Sequence, residues 1–122
     1  MMPTVLGVDD SGIVRAALAF RLEAAGHRFF SAVDGIDGLE KAAEFCPDVI
    51  ITDMQMPRMD GITFIRKLRK KPEFATIPIL VMSSERGGAV RDRAKAAGAS
   101  EWISKSSIPD ELASLVWRLA NA

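Results

Sequence analysis

The sequence predicts an α/β fold, because five short apolar segments alternate with longer segments of helical pattern. Two of the apolar segments, residues 49–51 and 79–82, are continuous rather than alternating, which is typical of central strands covered on both faces. Each connection is long enough to return the chain before the next strand, so the strands are expected to be parallel. Right-handed crossovers would then place helices on both faces of one sheet.

Turn and capping residues set the expected boundaries of these elements. Ser11 and Asp60 can cap helices, and Gly26 and Gly98 are typical helix stops. The predicted strands cover residues 3–8, 27–32, 49–51, 79–82 and 101–103. The predicted helices run from residue 11 to about 25, then over about 36–45, 61–71 and 86–97, and finally from 107–110 onward.

Helical spacing predicts which residues of each helix face the core. In the first helix Ile13, Ala17, Phe20 and Ala24 share one face, which is broadened by Val14, Leu18, Leu22 and Ala25, while Arg15, Arg21 and Glu23 are left to solvent. The later inward residues are Leu39, Ala42 and Ala43, then Ile62, Ile65 and Leu68, then Val90, Ala94 and Ala97, and last Leu112, Leu115, Val116 and Leu119. His27 is expected at the surface or a strand edge, and Cys46 is expected to be buried or partly buried.

Composition predicts one globular domain over residues 1–122, with 48% hydrophobic and 26% charged residues. Since 16 basic residues balance 16 acidic ones, no broad basic surface for nucleic acid is expected. The chain has one cysteine, no charged and apolar leader and no apolar run of membrane-spanning length. We therefore expect a cytoplasmic protein without membrane contact.

Polar residues follow the predicted strands and are candidates for a functional site. Asp9 and Asp10 come after the first strand, Asp53 after the third, Ser83 after the fourth and Lys105 after the fifth. Because parallel strands share one carboxyl edge, these side chains are expected to converge there.

The expected chemistry of this edge is phosphoryl transfer assisted by a metal. Three neighbouring carboxylates repel one another unless a cation lies among them, and hard oxygen ligands favour Mg²⁺, with Mn²⁺ as an alternative. A metal beside Asp53 and the ammonium of Lys105 would neutralise phosphoryl oxygens, and Ser83 can donate a hydrogen bond to one of them. A carboxylate such as Asp53 can act as the nucleophile that forms an aspartyl phosphate.

Four ordered motifs carry a resemblance to a known family. They are Val8-Asp9-Asp10-Ser11, the segment from Thr52 to Gly61 with Asp53 and Pro57, Met82-Ser83-Ser84, and Gly98-Ala99-Ser100 through Lys105. By these motifs essentially the whole chain resembles the receiver domains of bacterial two-component response regulators, and among them the single-domain chemotaxis (CheY-like) type. The resemblance implies a flavodoxin-like, doubly wound five-stranded sheet with strand order 2-1-3-4-5 and five helices.

The resemblance also implies a role for each residue of the predicted site. Asp53 would accept a phosphoryl group from a phosphohistidine of a sensor histidine kinase or a histidine phosphotransfer protein. Asp10, Asp53 and the backbone carbonyl of Gln55 would bind Mg²⁺, and Asp9 would hold a metal-bound water. Contacts to the phosphoryl oxygens would come from Ser83 and Lys105.

The implied output is a switch in a protein-binding surface. A shift of Ser83 would accompany inward rotation of Trp102 and remodel the surface of the fourth helix, fifth strand and fifth helix, which contacts a downstream protein. Gln55 and Glu85 would tune the lifetime of the phosphoryl group. The chain would be a monomer, or a weak dimer when phosphorylated, and no enzyme beyond self-phosphorylation from small donors and self-dephosphorylation.

Three residues depart from the family pattern. Ser106 replaces the usual proline after the lysine, and a cis peptide before a non-proline residue costs about 2.5–4 kcal/mol, so a different loop geometry is expected. Trp102 is larger than the usual tyrosine or phenylalanine, so its inward rotamer should meet more steric resistance. Ser84 replaces a small apolar residue.

Other functions remain open from the sequence. A phosphatase of the haloacid dehalogenase type also uses an aspartate nucleophile with Mg²⁺. That family has a second acid two residues after the nucleophile, where this chain has Gln55. A flavin or nucleotide carrier would need a phosphate-binding loop where Asp9 and Asp10 stand. A receiver fold could also be a passive scaffold. Within the receiver reading, chemotaxis-like signalling is favoured over another phosphorelay or stress pathway, or a phosphate sink.

Overall fold

The computed structural model describes residues 2–84, 88–105 and 111–122. The strands are β1 (Thr4–Val8), β2 (Arg28–Ala32), β3 (Val49–Thr52), β4 (Ile79–Ser83) and β5 (Glu101–Ser104). The helices are α1 (Gly12–Ala24), α2 (Gly35–Phe45), α3 (Gly61–Arg69), α4 (Gly88–Ala97) and α5 (Leu112–Ala120), with a 3₁₀ turn at Pro72–Phe74. The alternation of strands and helices is therefore confirmed. The starts predicted for the last two helices, at residues 86 and 107–110, lie outside the described residues.

The strands form one parallel sheet in the order β2-β1-β3-β4-β5, which confirms the predicted fold class and strand order. Every residue of β3 and of β4 is buried, as the continuous apolar runs predict. The edge strands β2 and β5 are mostly half-buried or exposed. The carboxyl ends of the two most buried strands therefore lie in the middle of one edge of the sheet.

Two apolar layers cover the two faces of the sheet. One layer packs α2, α3 and α4 against Ile50 and Val81, and it includes Phe64, whose side chain is fully buried. The other packs α1 and α5 against Val49 and Ile51. Alternate residues of β3 thus point into opposite layers, as the geometry of a strand requires.

The buried face predicted for α1 is right for Val14, Leu18 and Leu22 and wrong for Ile13 and Phe20. Ile13 is 85% exposed and Phe20 is 76% exposed, whereas Leu18 and Leu22 are buried. The first helix is apolar on almost every side, so helical spacing alone allows two stripes. The contact with β1 selects one of them, because Leu18 packs over Gly7, where an added Cβ would lie 3.2 Å from Leu18 Cδ1. The alanines at 24, 25 and 43, also predicted inward, are exposed.

Three further local expectations are wrong. His27 directly precedes the edge strand β2, but it does not lie at the surface: it is buried, and its Nε2–H donates to the Ala113 carbonyl at 3.1 Å. Cys46 is exposed, because the chain turns away after α2 with Cys46 in a left-handed conformation at φ 47°. Arg15 was expected to face solvent, but it is half-buried and its Nη1 donates to the Asp9 carbonyl at 2.7 Å.

Within the described residues, none of the helices has the length and apolar character needed to cross a bilayer.

Two phenylalanines on different helices provide a test of this packing. Phe64→Ala should lower the free energy of unfolding by about 3–5 kcal/mol, because it removes a fully buried ring and leaves a cavity. Phe20→Ala should change the free energy by no more than about 0.5 kcal/mol, because most of that ring is already in water. Urea unfolding followed by circular dichroism measures both, and equal losses would contradict the assignment of the buried face of α1.

Candidate functional site

Two buried aspartates lie side by side at the carboxyl edge of the sheet. Asp9 follows β1 and Asp53 follows β3, and their exposed fractions are 2% and 7%. The backbone N–H of Asp53 donates to the Val8 carbonyl at 3.0 Å, and that of Asp9 donates to the Ala32 carbonyl at 3.1 Å. The strand ladder therefore continues through both acids and fixes their positions at the edge.

Asp10 completes a cluster of three carboxylates. One carboxylate oxygen from each of Asp9, Asp10 and Asp53 lies within 4.8 Å of the others. Asp10 is exposed, so the cluster has one open side towards solvent. Three hard oxygen ligands at this spacing fit a small divalent cation such as Mg²⁺.

Lys105 reaches this cluster from β5. Its Nζ lies 2.9 Å from Asp9 Oδ2 and 3.0 Å from Asp53 Oδ2, so one ammonium bridges the two buried carboxylates. The backbone N–H of Lys105 donates to the Ser83 carbonyl at 2.8 Å, which extends the pairing of β4 with β5 beyond the last strand residue. The sheet thus brings together residues that are 52 positions apart in the chain.

The charges of the site are only partly balanced. Burial raises the pKa of Asp53; the Lys105 ammonium opposes this change and the neighbouring Asp9 carboxylate adds to it. Burial alone would lower the pKa of Lys105, but its hydrogen bonds to Asp9 and Asp53 outweigh burial and raise it. Lys105 therefore stays charged, while Asp53 retains a cost of ionisation that a further cation would relieve.

The loop between β3 and α3 begins and ends at fixed points. Asp53 Oδ1 accepts from the Met54 N–H at 2.8 Å, and Thr52 Oγ1 donates to the Asp53 carbonyl at 2.9 Å. The Gly61 N–H donates to the Met54 carbonyl at 2.9 Å. Gln55, the residue expected to supply a backbone carbonyl to the metal, lies exposed within this loop.

The other predicted residues that the structure describes lie on β4 or β5 or directly after β4. Ser83 is 2% exposed and ends β4, next to β3. Trp102 is half-buried on β5 and stands opposite Val81 in the strand register. Ser84 is exposed. Glu85 and the peptide between Lys105 and Ser106 involve residues outside those described, so the expectations for them stay predictions.

Helix caps near the site follow the sequence closely. Asp60 Oδ1 accepts from the Thr63 N–H at 2.8 Å at the start of α3, and Ser11 Oγ accepts from the Val14 N–H at 3.3 Å at the start of α1. Asp60 and Ser11 thus cap the two helices that begin beside the cluster. Neither is needed to explain the cluster itself.

An ion pair beside the site was not predicted. Arg58 Nε and Nη2 lie 2.7 Å and 2.6 Å from Asp34 Oδ2, while Asp34 Oδ1 accepts from the Asp37 N–H at 2.9 Å. The hydrogen bond from Asp37 is the largest influence that lowers the pKa of Asp34; burial opposes it and Arg58 lowers the pKa further. The Asp34-Gly35 turn signals a helix cap, but nothing local to either segment pairs it with Arg58.

Comparisons with known proteins identify the family. A family model described as the response regulator receiver domain matches residues 5–116. Among solved structures, the chemotaxis protein CheY4 of Vibrio cholerae is 34% identical with a TM-score of 0.91, and the match covers 98% of this chain and 99% of that one.

Two curated relatives are much longer than this chain. The DNA-binding dual master transcriptional regulator RpaA of Synechocystis is 32% identical over 113 residues, which are 91% of this chain and 46% of RpaA. The sensor histidine kinase CheAY of Helicobacter pylori is 34% identical over 116 residues, which are 93% of this chain and 14% of CheAY. The chain thus spans less than half of each relative. Because the family model covers most of the chain and CheY4 matches nearly all of it, the chain belongs to the response regulator receiver domains and is CheY-like.

Proposed function

We propose that this chain is a phosphoacceptor in two-component signalling and that Asp53 takes the phosphoryl group from a phosphohistidine. The donor is a sensor histidine kinase or a histidine phosphotransfer protein. The observation that carries this proposal is the Asp53 carboxylate, held by the Lys105 ammonium 3.0 Å away and flanked by two further acids. Receiver domains are phosphoacceptor signalling domains, so family and geometry support the same function.

Besides the phosphohistidine of the donor and the proposed metal ion, the transfer uses side chains at this edge of the sheet. An Asp53 carboxylate oxygen forms the new bond to phosphorus as the phosphorus–nitrogen bond breaks, and the histidine nitrogen keeps the electron pair. The carboxylate loses its negative charge when the bond forms, and the leaving histidine nitrogen takes up a proton from solvent. The phosphoryl oxygens keep their negative charge throughout and bring it to this edge of the sheet. The Lys105 ammonium can stabilise the charge of these oxygens, and the Ser83 hydroxyl can donate a hydrogen bond to one of them.

The carboxylate cluster supports a Mg²⁺ site, with Mn²⁺ as an alternative. Asp10, Asp53 and the Gln55 backbone carbonyl would bind the ion directly, and Asp9 would hold one of its waters. The ion would supply positive charge against the phosphoryl oxygens when bound. The close spacing of the carboxylate oxygens is the observation that supports it.

We propose that phosphorylation switches the surface formed by α4, β5 and α5. Ser83 and Trp102 carry the change, because Ser83 ends the strand that pairs with β5 and Trp102 lies on β5 itself. A cavity of about 180 Å³ between α4 and β5 borders Trp102 and is lined also by Arg91 and Lys95. That space lies next to the indole whose rotation the switch requires.

The pathway and setting stay predictions. Likeness to CheY4 and to the receiver portion of CheAY supports chemotaxis-like signalling, with another phosphorelay, a stress pathway or a phosphate sink as alternatives. A single receiver domain over residues 1–122, a monomeric state with weak dimerisation on phosphorylation, and a cytoplasmic location remain expectations from the sequence. The family assignment leaves the phosphatase and flavin-carrier alternatives without support.

Phosphorylation at Asp53 can be measured directly. With Mg²⁺ and a small phosphodonor, the wild type should gain one phosphoryl group by intact-mass spectrometry, and Asp53→Asn should gain none. Asp60→Asn is the matched control and should gain one, because Asp60 caps α3 and asparagine also caps helices. No gain in the wild type with any donor would refute the proposed function and favour a passive scaffold.

The same experiment tests the residues expected to tune the lifetime. After the donor is removed, Gln55→Ala and Glu85→Ala should lose the phosphoryl group at rates different from the wild type, because these residues are expected to govern the access of water. Unchanged rates in both variants would remove this role.

The balance of charge predicts how metal and lysine depend on each other. Lys105→Ala should lower the free energy of unfolding without metal by about 1.5–3 kcal/mol, because two buried carboxylates lose a charged hydrogen-bond donor. Millimolar Mg²⁺ should raise the melting temperature of the wild type, and should raise that of Lys105→Ala by more. Lys67→Ala on the exposed face of α3 is the control. If Mg²⁺ leaves the melting temperature of the wild type unchanged, the proposed metal site is wrong.

The switch should be visible by amide hydrogen exchange. Beryllofluoride with Mg²⁺ mimics a phosphoryl group, and it should change exchange across residues 88–102 in the wild type, since a ligand shifts a two-state element only by binding one state more tightly. Asp53→Asn should show no change. Identical exchange in the wild type with and without the mimic would contradict the switch.

A further inference from the structure

A charged pair fastens the loop between β3 and α3 to the start of α2. Both Arg58 Nε and Nη2 donate to one oxygen of Asp34, at 2.7 Å and 2.6 Å. Asp34 is 3% exposed and its other oxygen caps α2, so this carboxylate is itself held in place. The arginine therefore ties a surface loop to a rigid point of the fold.

The backbone at Arg58 is unusual for an arginine. Its φ is 66°, and the Met59 N–H donates to the Pro57 carbonyl at 2.7 Å across it, which makes a tight three-residue turn. Glycine or asparagine would adopt this left-handed conformation at lower cost. A strained conformation persists where surrounding contacts enforce it, and here the contact is the guanidinium on Asp34.

An apolar contact reinforces the same attachment. Met59 packs on Gly35, the first residue of α2, where an added Cβ would lie 2.9 Å from the Cβ, Cγ and Sδ atoms of Met59. The loop thus meets the start of α2 through two adjacent residues, one charged and one apolar. Gly35 permits this close approach because it has no side chain.

The two anchors enclose the residue expected to hold the metal. At the start of the loop, the Met54 N–H donates to Asp53 Oδ1 and the Met54 carbonyl accepts from the Gly61 N–H. At its other end, Arg58 and Met59 are held against the start of α2. Gln55 lies between these anchored segments and next to Met56, which packs against the buried layer of α3. The position of the Gln55 carbonyl therefore depends on both ends of the loop.

We infer that Arg58 and Asp34 are positioning residues for the cation site, because they hold the loop that carries Gln55, whose backbone carbonyl is the ligand expected to join Asp10 and Asp53. This inference rests on the proposed function, since it concerns the metal expected there. Neither residue is among the expected ligands of the metal or of the phosphoryl group. Their effect is to prepare the loop before the ion arrives, as outer groups commonly do around metal ligands.

Electrostatics alone makes the opposite prediction for Arg58. Removing a positive charge near three carboxylates would make the site more negative and strengthen cation binding. Removing Asp34 would weaken binding, and removing both charges would leave affinity close to that of the wild type. If the pair positions the loop, all three changes should weaken binding.

The test uses the full metal-free chain and variants that preserve the backbone. Arg58→Asn keeps a residue that tolerates the left-handed turn, and Asp34→Asn keeps a residue that caps α2 well. Arg66→Gln removes the same charge from the exposed face of α3 and serves as the control. Free Mn²⁺ is measured by electron paramagnetic resonance, and Mg²⁺ is then added as a competitor.

The expected result is about 3–10-fold weaker Mn²⁺ and Mg²⁺ binding in Arg58→Asn and in Asp34→Asn. The double variant should bind the metals no more weakly than the single variant with the lower affinity, because each substitution breaks the same contact between Arg58 and Asp34. Arg66→Gln should bind as tightly as the wild type or more so. In the metal-free state, amide exchange over residues 54–60 should be faster in Arg58→Asn, with exchange in β1 and β3 unchanged.

Two outcomes overturn the inference in distinguishable ways. If the wild type binds the metals and Arg58→Asn binds them equally well or better, the positioning role is wrong while the proposed function stands. A lower melting temperature of Arg58→Asn would not change this conclusion, because it would show only that the contact stabilises the fold. If the wild type binds neither metal, the proposed function and the inference fail together.

Discussion

The bridge from the Lys105 ammonium to the Asp9 and Asp53 carboxylates is the interaction on which the rest of this site depends. Two carboxylates cannot share a buried edge without a countercharge, and one lysine supplies only one positive charge. The negative charge that remains, with exposed Asp10 beside it, favours a further cation at this edge, which agrees with the proposed metal site.

The parallel sheet explains why this bridge can form. β1 and β3 are neighbours in the middle of the sheet, so the residues that follow them emerge side by side, and β5 brings Lys105 from the far edge through β4. Burial of β3 and β4 on both faces keeps these strand ends from moving independently. The loops carry the chemistry, but the rigid strands set its distances.

The surroundings of the site divide into fixed and adaptable parts. The loop after Asp53 is attached to α2 through Arg58 and Met59, while Trp102 borders a cavity beside α4, whose buried side is made mostly of alanines. An element with few large apolar contacts is cheaper to shift than one packed around Phe64. This difference agrees with the proposed function, in which the phosphorylation site keeps its position while the surface around Trp102 changes.

The sequence by itself determined the alternation of elements, the two central strands, the caps at Ser11 and Asp60, and the place of each polar residue at a strand end, because these depend on local spacing and residue type. The resemblance to a family supplied the strand order. Only the tertiary structure decided that α1 buries Leu18 and exposes Phe20, and that Arg58 pairs with a residue 24 positions away. Such choices depend on which surfaces meet after folding, and a helix that is apolar on almost every side, or a charged residue in a loop, carries no local signal of its partner.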